Sequence, residues 1–192
     1  MADNYRWADL GALGAQGVPG ARALGAGIER MVTGIASPPD TRRGWTARLN
    51  YLTKSPAGRT ALTDAGISRR ALAAWTAGKR SPSPKNRAKL DRAYWDLRRQ
   101  RVTPHLKRRL ANNGRGTRIE IDPVDQRNVQ QPHRRDLAVR HTNVRPRIWN
   151  TAVDAWLDDD HQAMEGIWDE IIMDLGSGYD AYTNVSSVGW AA

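Results

Sequence analysis

Residues Gly58–Lys85 read GRTALTDAGISRRALAAWTAGKRSPSPK, and this stretch decides the fold class. A short helical pattern runs into Ala65-Gly66-Ile67-Ser68, and a second helical pattern follows. A glycine between two short helices permits a tight, left-handed turn. A serine after it caps the second helix, because its hydroxyl accepts from a first-turn amide. Gly66 is the expected turn, Ile67 the apolar plug and Ser68 the cap. Leu72 and Trp75 then lie on one helical face and are expected to pack on the first helix. Arg69, Arg70, Ala73, Ala74 and Ala77 face away.

That outward face is what a recognition helix needs. Arginines in the first turn suit guanine edges or phosphates, and small alanines behind them let the helix approach the groove closely. Lys79, Arg80 and Lys85 are expected to hold the DNA backbone. The competing reading is a plain helical hairpin with a basic face. One residue favours that competitor: Leu62 stands where close helix packing usually wants a small side chain. Trp75 could stack on bases, but its spacing from Leu72 makes it a core residue.

The chain has 192 residues, and its charge is segregated. Residues 1–40 sum to −1, residues 41–147 to +20 and residues 148–192 to −9. A basic block of that density repels itself and fits a polyanionic partner, with nucleic acid before a membrane surface. A second basic stripe, RRQRVTPHLKRRLANNGRGTR (98–118), includes Arg108, Arg109 and Arg115 and is expected to track phosphates. Neutralising ~6 phosphates would give log K against log salt a slope near −5.

Outward from the central stretch, Gly/Ala-rich residues 1–27 are expected as a loose tail or weak helix, with a short amphipathic helix over 24–35 and a linker at 37–44. A helix begins at Trp45. Thr103-Pro104 resembles a cap followed by proline in the first turn, so residues 86–113 predict two helices. Alternation predicts strands over 117–122 and 136–144, pairing as a hairpin or with a second copy. Two helices follow, from Pro146 and over 164–175, and residues 176–190 are expected as a tail. The apolar stripes carrying Trp149, Trp156 and Trp168 exceed what two helices bury alone. They predict packing on a second copy or partner, or alternatively on the basic half. The expected class is mainly α with a small β element, a helix-turn-helix domain followed by a β-α-α unit. Its expected divisions are residues 1–40, 41–113, 114–175 and 176–192.

The chain contains no cysteine, which excludes disulfides, thiolate metal sites and cysteine nucleophiles. No apolar run reaches the ~18 residues of a membrane span, and no signal-peptide pattern opens the chain. A cytoplasmic, nucleoid-associated protein is expected. The four histidines share no metal-ligand spacing, and Asp158-Asp159-Asp160-His161 also makes an ordinary helix start. With no phosphate-cradling loop or nucleophile elbow, neither an enzyme nor a cofactor is expected.

The order IERMV, RLNYLTK, GISRRALAAWTAGKRSPSP, LKRRLANNGRGTRIEID, RH and RPRIWNTAVDAWLDDDHQAMEGIWDEII resembles the telomere-protecting terminal proteins of linear Streptomyces-type replicons, over residues 25–175. The resemblance implies a helix-turn-helix protein that binds terminal single-stranded overhangs together with a telomere-binding protein. It also implies covalent attachment to the DNA 5′ end through a side-chain hydroxyl that a DNA polymerase extends. The loop expected to carry that hydroxyl, PVDQRNVQQPHRR (123–135), contains no Ser, Thr or Tyr. The nearest candidates are Thr117 and Thr142, the latter between Arg140 and Arg145. The alternatives are a helix-turn-helix transcriptional regulator binding duplex DNA as a homodimer, and an architectural protein that coats DNA by charge.

Overall fold

The computed structural model describes residues 7–176 and 179–190. The first six residues of the expected N-terminal segment, and residues 177–178 and 191–192 of the expected tail, lie outside this description. The chain is mainly helical with one small antiparallel sheet, as expected. It divides into two compact units. One comprises residues 32–102, and the other joins residues 1–31 to residues 103–192.

The 32–102 unit contains α3 (Arg42–Thr53), α4 (Pro56–Asp64), α5 (Arg69–Thr76) and the greater part of α6 (Pro84–Ala111). Each of the first three helices starts on a capped hydroxyl residue. Thr41, Ser55 and Ser68 each accept an amide from three residues on, and Pro56 occupies the first turn of α4, where its missing N–H costs nothing. The core gathers Trp45, Leu49 and Leu52 of α3, Leu62 of α4, Ile67 of the turn, Trp75 of α5, and Leu90, Tyr94 and Leu97 of α6. At its edge Arg48 is buried. Its guanidinium donates to Asp91 at 2.5 Å and to the carbonyls of Ser37 and Gly44 at 2.8 and 3.1 Å.

The other unit contains α1 (Trp7–Ala12), β1 (Val18–Pro19), α2 (Gly20–Met31), β2 (Thr117–Pro123), β3 (Arg140–Val144), α7 (Pro146–Leu157), α8 (His161–Met173) and β4 (Asn184–Trp190). The sheet order is β1-β4-β2-β3, with every neighbour antiparallel. Ile119 and Ile121 of β2 and Val185 and Val188 of β4 are buried, while Arg118, Glu120 and Asp122 alternate to the other face. Helix α2 packs on β4, α7 and α8.

Several expectations need correction. The amphipathic helix expected over 24–35 is α2 at 20–31, and it is a core element of the unit that holds the C-terminal half. The expected tail holds β4, a central strand of the sheet. The boundaries at 40, 113 and 175 therefore do not coincide with the compact units, because β1 and α2 pack against elements more than a hundred residues away. Residues 84–111 form one helix, not two. Pro104 removes one amide donor from α6, and the boundary between the units falls beside it, between Val102 and Thr103. The second strand is shorter than 136–144, and Leu137 instead packs on a small cluster with Leu10, Ala15, Val124 and Val129. Strands β2 and β3 pair within the chain. Trp149, Trp156 and Trp168 are all buried inside their own unit. Trp149 meets the Trp190 ring of β4, Trp156 donates to Glu29 of α2, and Trp168 donates to Tyr182 O and packs on Gly20, so this apolar surface is covered within its own unit.

Candidate nucleic-acid interface

The turn between α4 and α5 is built as a helix-turn-helix requires. The Ile67 amide donates to Leu62 O at 3.1 Å and the Gly66 amide to Thr63 O at 2.8 Å, the paired bonds that close a helix on a left-handed residue. Gly66 has φ +69°, a conformation that strains residues bearing a Cβ. Ile67 plugs the core, and the Ser68 hydroxyl accepts the Ala71 amide at 3.2 Å. Leu62, which favoured a plain hairpin, is a buried core residue. The close approach is made one turn earlier, at Gly58, where a Cβ would stand 2.0 Å from the Leu52 carbonyl oxygen.

Helix α5 presents two faces. Trp75 is 3 % exposed, so it is core and not a stacking platform, and Ala71 and Leu72 are half-buried beside it. Arg69, Arg70 and Ala73 are exposed, and Ala74 is half-buried. Beyond the helix, Gly78 closes a second left-handed cap, and Lys79, Arg80 and Lys85 are exposed.

The cations of this unit fall into two groups. Residues 32–102 hold sixteen Lys and Arg against four Asp. Besides the buried Arg48, several arginines serve the fold. Arg87 donates to Asp40 O at 2.6 Å and Pro82 O at 3.0 Å. Arg98 donates to Thr33 O at 3.0 Å. Arg101 binds Ser55 Oγ at 2.5 Å and lies 5.0 Å above the Tyr51 ring. Arg69, Arg70, Lys79, Arg80 and Lys85 have no hydrogen-bond or ion-pair partner among the described residues. An exposed cation without an internal partner is available to phosphate. Arg42 and Arg43, exposed in the first turn of α3, belong to this free group but read as linker in the sequence. The signal that could have found them is Thr41, a capping residue directly before them.

The second basic stripe is divided. Residues 98–102 belong to the helix-turn-helix unit, whereas Arg108, Arg109 and Arg115 belong to the other. All three are exposed, and Arg108 meets His105 Nδ1 at 2.9 Å. The candidate acceptor hydroxyls are both constrained. Thr117 donates its hydroxyl to Leu110 O at 2.7 Å. Thr142 lies in the middle of β3 rather than at its end, opposite buried Ile119, and is half-buried.

Asp160, within the Asp158–His161 run, caps α8 by accepting the Ala163 amide at 2.9 Å. Among the described residues no group of three or more His, Asp or Glu is placed to hold a metal ion, and no helix is long and apolar enough to cross a membrane. No family model, no curated protein and no solved structure matches this chain.

Proposed function

We propose that this chain binds DNA, with α5 as the helix that reads the major groove. The observation that carries the reading is the face of α5: Arg69, Arg70 and Ala73 exposed on a helix whose other side is locked into the core by Leu72 and Trp75. Side chains on such a helix are held by the rigid unit behind them, which base readout requires. Lys79, Arg80 and Lys85 supply phosphate contacts that set its register.

The biological setting we propose is the end of a linear replicon, where the protein binds and protects the terminus. This rests on the sequence resemblance to terminal proteins. A second reading, a transcriptional regulator on interior duplex sites, is favoured by the state of the two candidate hydroxyls. One is donated to a backbone carbonyl and the other faces the inner side of the sheet. Protein priming needs a hydroxyl free to attack a nucleotide phosphate, so we propose end binding without attachment at Thr117 or Thr142.

Two measurements separate these readings. Competition between a hairpin-bearing 3′ overhang and an interior duplex of equal length should favour the overhang for an end binder and the duplex for a regulator. Equal binding to every DNA offered would contradict both and leave charge-driven coating. The intact mass of protein recovered from nuclease-treated host DNA should lack a nucleotide on Thr117 and Thr142. A nucleotide mapped to either would overturn the non-priming role.

A further inference from the structure

The unit built on the sheet carries a basic cluster of its own, distant in sequence from the recognition helix. Strand β3 is an edge of the sheet, and its pairing with β2 places Arg118 opposite Asn143 and Thr117 opposite Val144. Arg115 precedes β2 and Arg145 follows β3, so both flank the same end of the strand pair. The Asn143 amide donates to Arg115 O at 2.7 Å and ties the 112–116 turn to this end. Arg115, Arg118, Asn143 and Arg145 are all exposed. Arg145 occupies the cap position of α7, but its side chain makes no capping bond there.

The guanidinium groups of Arg115, Arg118 and Arg145 have no hydrogen-bond or ion-pair partner among the described residues. Several other guanidinium groups of the unit are engaged. Arg147 pairs with Glu170, and Arg140 donates to Tyr182 Oη at 3.2 Å. Arg134 donates to Val129 O at 2.8 Å and Arg127 O at 2.9 Å. Arg127 pairs with Asp125, and hydrogen bonds from the Arg127 side chain and amide hold that carboxyl below its ordinary range. The acids sharing the outer face with Arg118 make other contacts. Glu120 lies 3.6 Å from His141, and Asp122 accepts Ser187 Oγ at 2.6 Å.

Residues 107–147 hold eleven Lys and Arg against four acids, whereas residues 148–192 hold nine acids and no Lys or Arg. The unit could have neutralised this cluster internally and does not. Three guanidinium groups with no carboxylate paired to them favour a bound polyanion. The chemistry of that polyanion follows from the face itself. Its outward residues at the paired positions are Arg118, Glu120, Asp122, His141, Asn143, Ser187 and Gly189. None is a Trp or Tyr, so the face lacks the aromatic platform on which unpaired bases stack. It offers guanidinium and amide donors, which suit phosphodiester oxygens.

We infer that Arg115, Arg118, Asn143 and Arg145 form a second site on this chain, binding the phosphodiester backbone of nucleic acid without reading bases. The inference rests on the reading that the chain binds nucleic acid. It adds a contact on a different compact unit, one that raises affinity and leaves sequence choice to α5.

The test uses the full chain and fluorescence anisotropy on a labelled duplex of about 20 base pairs and a single strand of the same sequence, across a salt series. The variants are Arg115→Ala/Arg118→Ala/Arg145→Ala, its all-lysine counterpart, and Arg69→Ala/Arg70→Ala. Losing three phosphate contacts should weaken duplex binding at least tenfold near 0.1 M salt and make the log–log salt slope shallower by about 2 to 3. Preference among duplex sequences should be unchanged, and the lysine variant should retain the slope, which separates charge from misfolding. Loss on both DNAs identifies a site for any phosphodiester strand, and loss on one alone names the form it takes. Wild-type affinity and slope in the triple alanine variant, with Arg69→Ala/Arg70→Ala impaired, would overturn this site and leave the α5 reading standing. A wild-type chain that binds neither DNA would overturn both.

Discussion

Single residues in the 32–102 unit show how a basic chain sorts its charges. Arg48 and Arg69 are the same residue type, yet one is 3 % exposed with three acceptors and the other faces solvent alone. Removing the Arg48 guanidinium leaves the part-exposed Asp91 carboxylate and the Ser37 and Gly44 carbonyls without their donor. Arg48→Ala should therefore cost about 3 kcal/mol in denaturant unfolding, and Arg48→Met with Asp91→Leu should recover most of that loss. Equal stability of the single variant and wild type would show that Arg48 holds nothing. Gly66 makes a separate prediction. A Cβ there would meet only the flexible end of Lys89, at 3.2 Å, so the penalty is backbone strain at φ +69°. Gly66→Ala should cost about 1 to 2 kcal/mol, read from the same unfolding curves. The roles of Gly66, Ile67, Ser68 and Trp75 were legible in sequence because turn, plug, cap and core follow from local chemistry. The role of Arg48 was not, since its partner Asp91 lies on another helix.

At the scale of elements, what the sequence concealed was distant pairing. Helices α3, α4, α5 and α7 were legible from caps, prolines and apolar spacing, and β2 from alternation. Strand β4 was not, because its partners are β1 and β2, far away along the chain. Helix α2 was legible as a helix but not as part of the core beneath Trp156, whose indole N–H donates to Glu29 at 2.9 Å. Thr103-Pro104 misled in the other direction. A cap-and-proline signal describes a helix start, but α6 continues through it as one helix of 28 residues. The central place of β4 yields a prediction. A chain ending at residue 176 should expose Trp149, Trp156 and Trp168, with a red-shifted tryptophan emission and rapid proteolysis of residues 103–176. Residues 32–102, whose core contains none of β4, should survive as a resistant fragment. Loss of that fragment at the same rate would mean that the two units are not separately stable.

For the whole molecule the governing feature is charge. The +20 central block and the −9 C-terminal block are legible in the sequence alone, and they point to a polyanion without saying which arginines meet it. That choice depends on folding, which ties Arg48, Arg87, Arg98 and Arg101 to internal acceptors and leaves Arg69, Arg70, Lys79, Arg80 and Lys85 free. With the cluster on the second unit also engaged, the duplex salt slope should lie near −5, a value of roughly that size following from about six phosphate contacts. With Lys79, Arg80 and Lys85 alone it should lie at about −3. A slope near zero would exclude phosphate binding by either unit. The most direct test of the central claim is selection from a randomised duplex library by wild-type protein and by Arg69→Ala/Arg70→Ala. The account predicts that wild-type protein enriches a defined motif and that the double variant still binds DNA but enriches none. The same motif emerging from both proteins would contradict it, and α5 would not be the helix that reads the sequence.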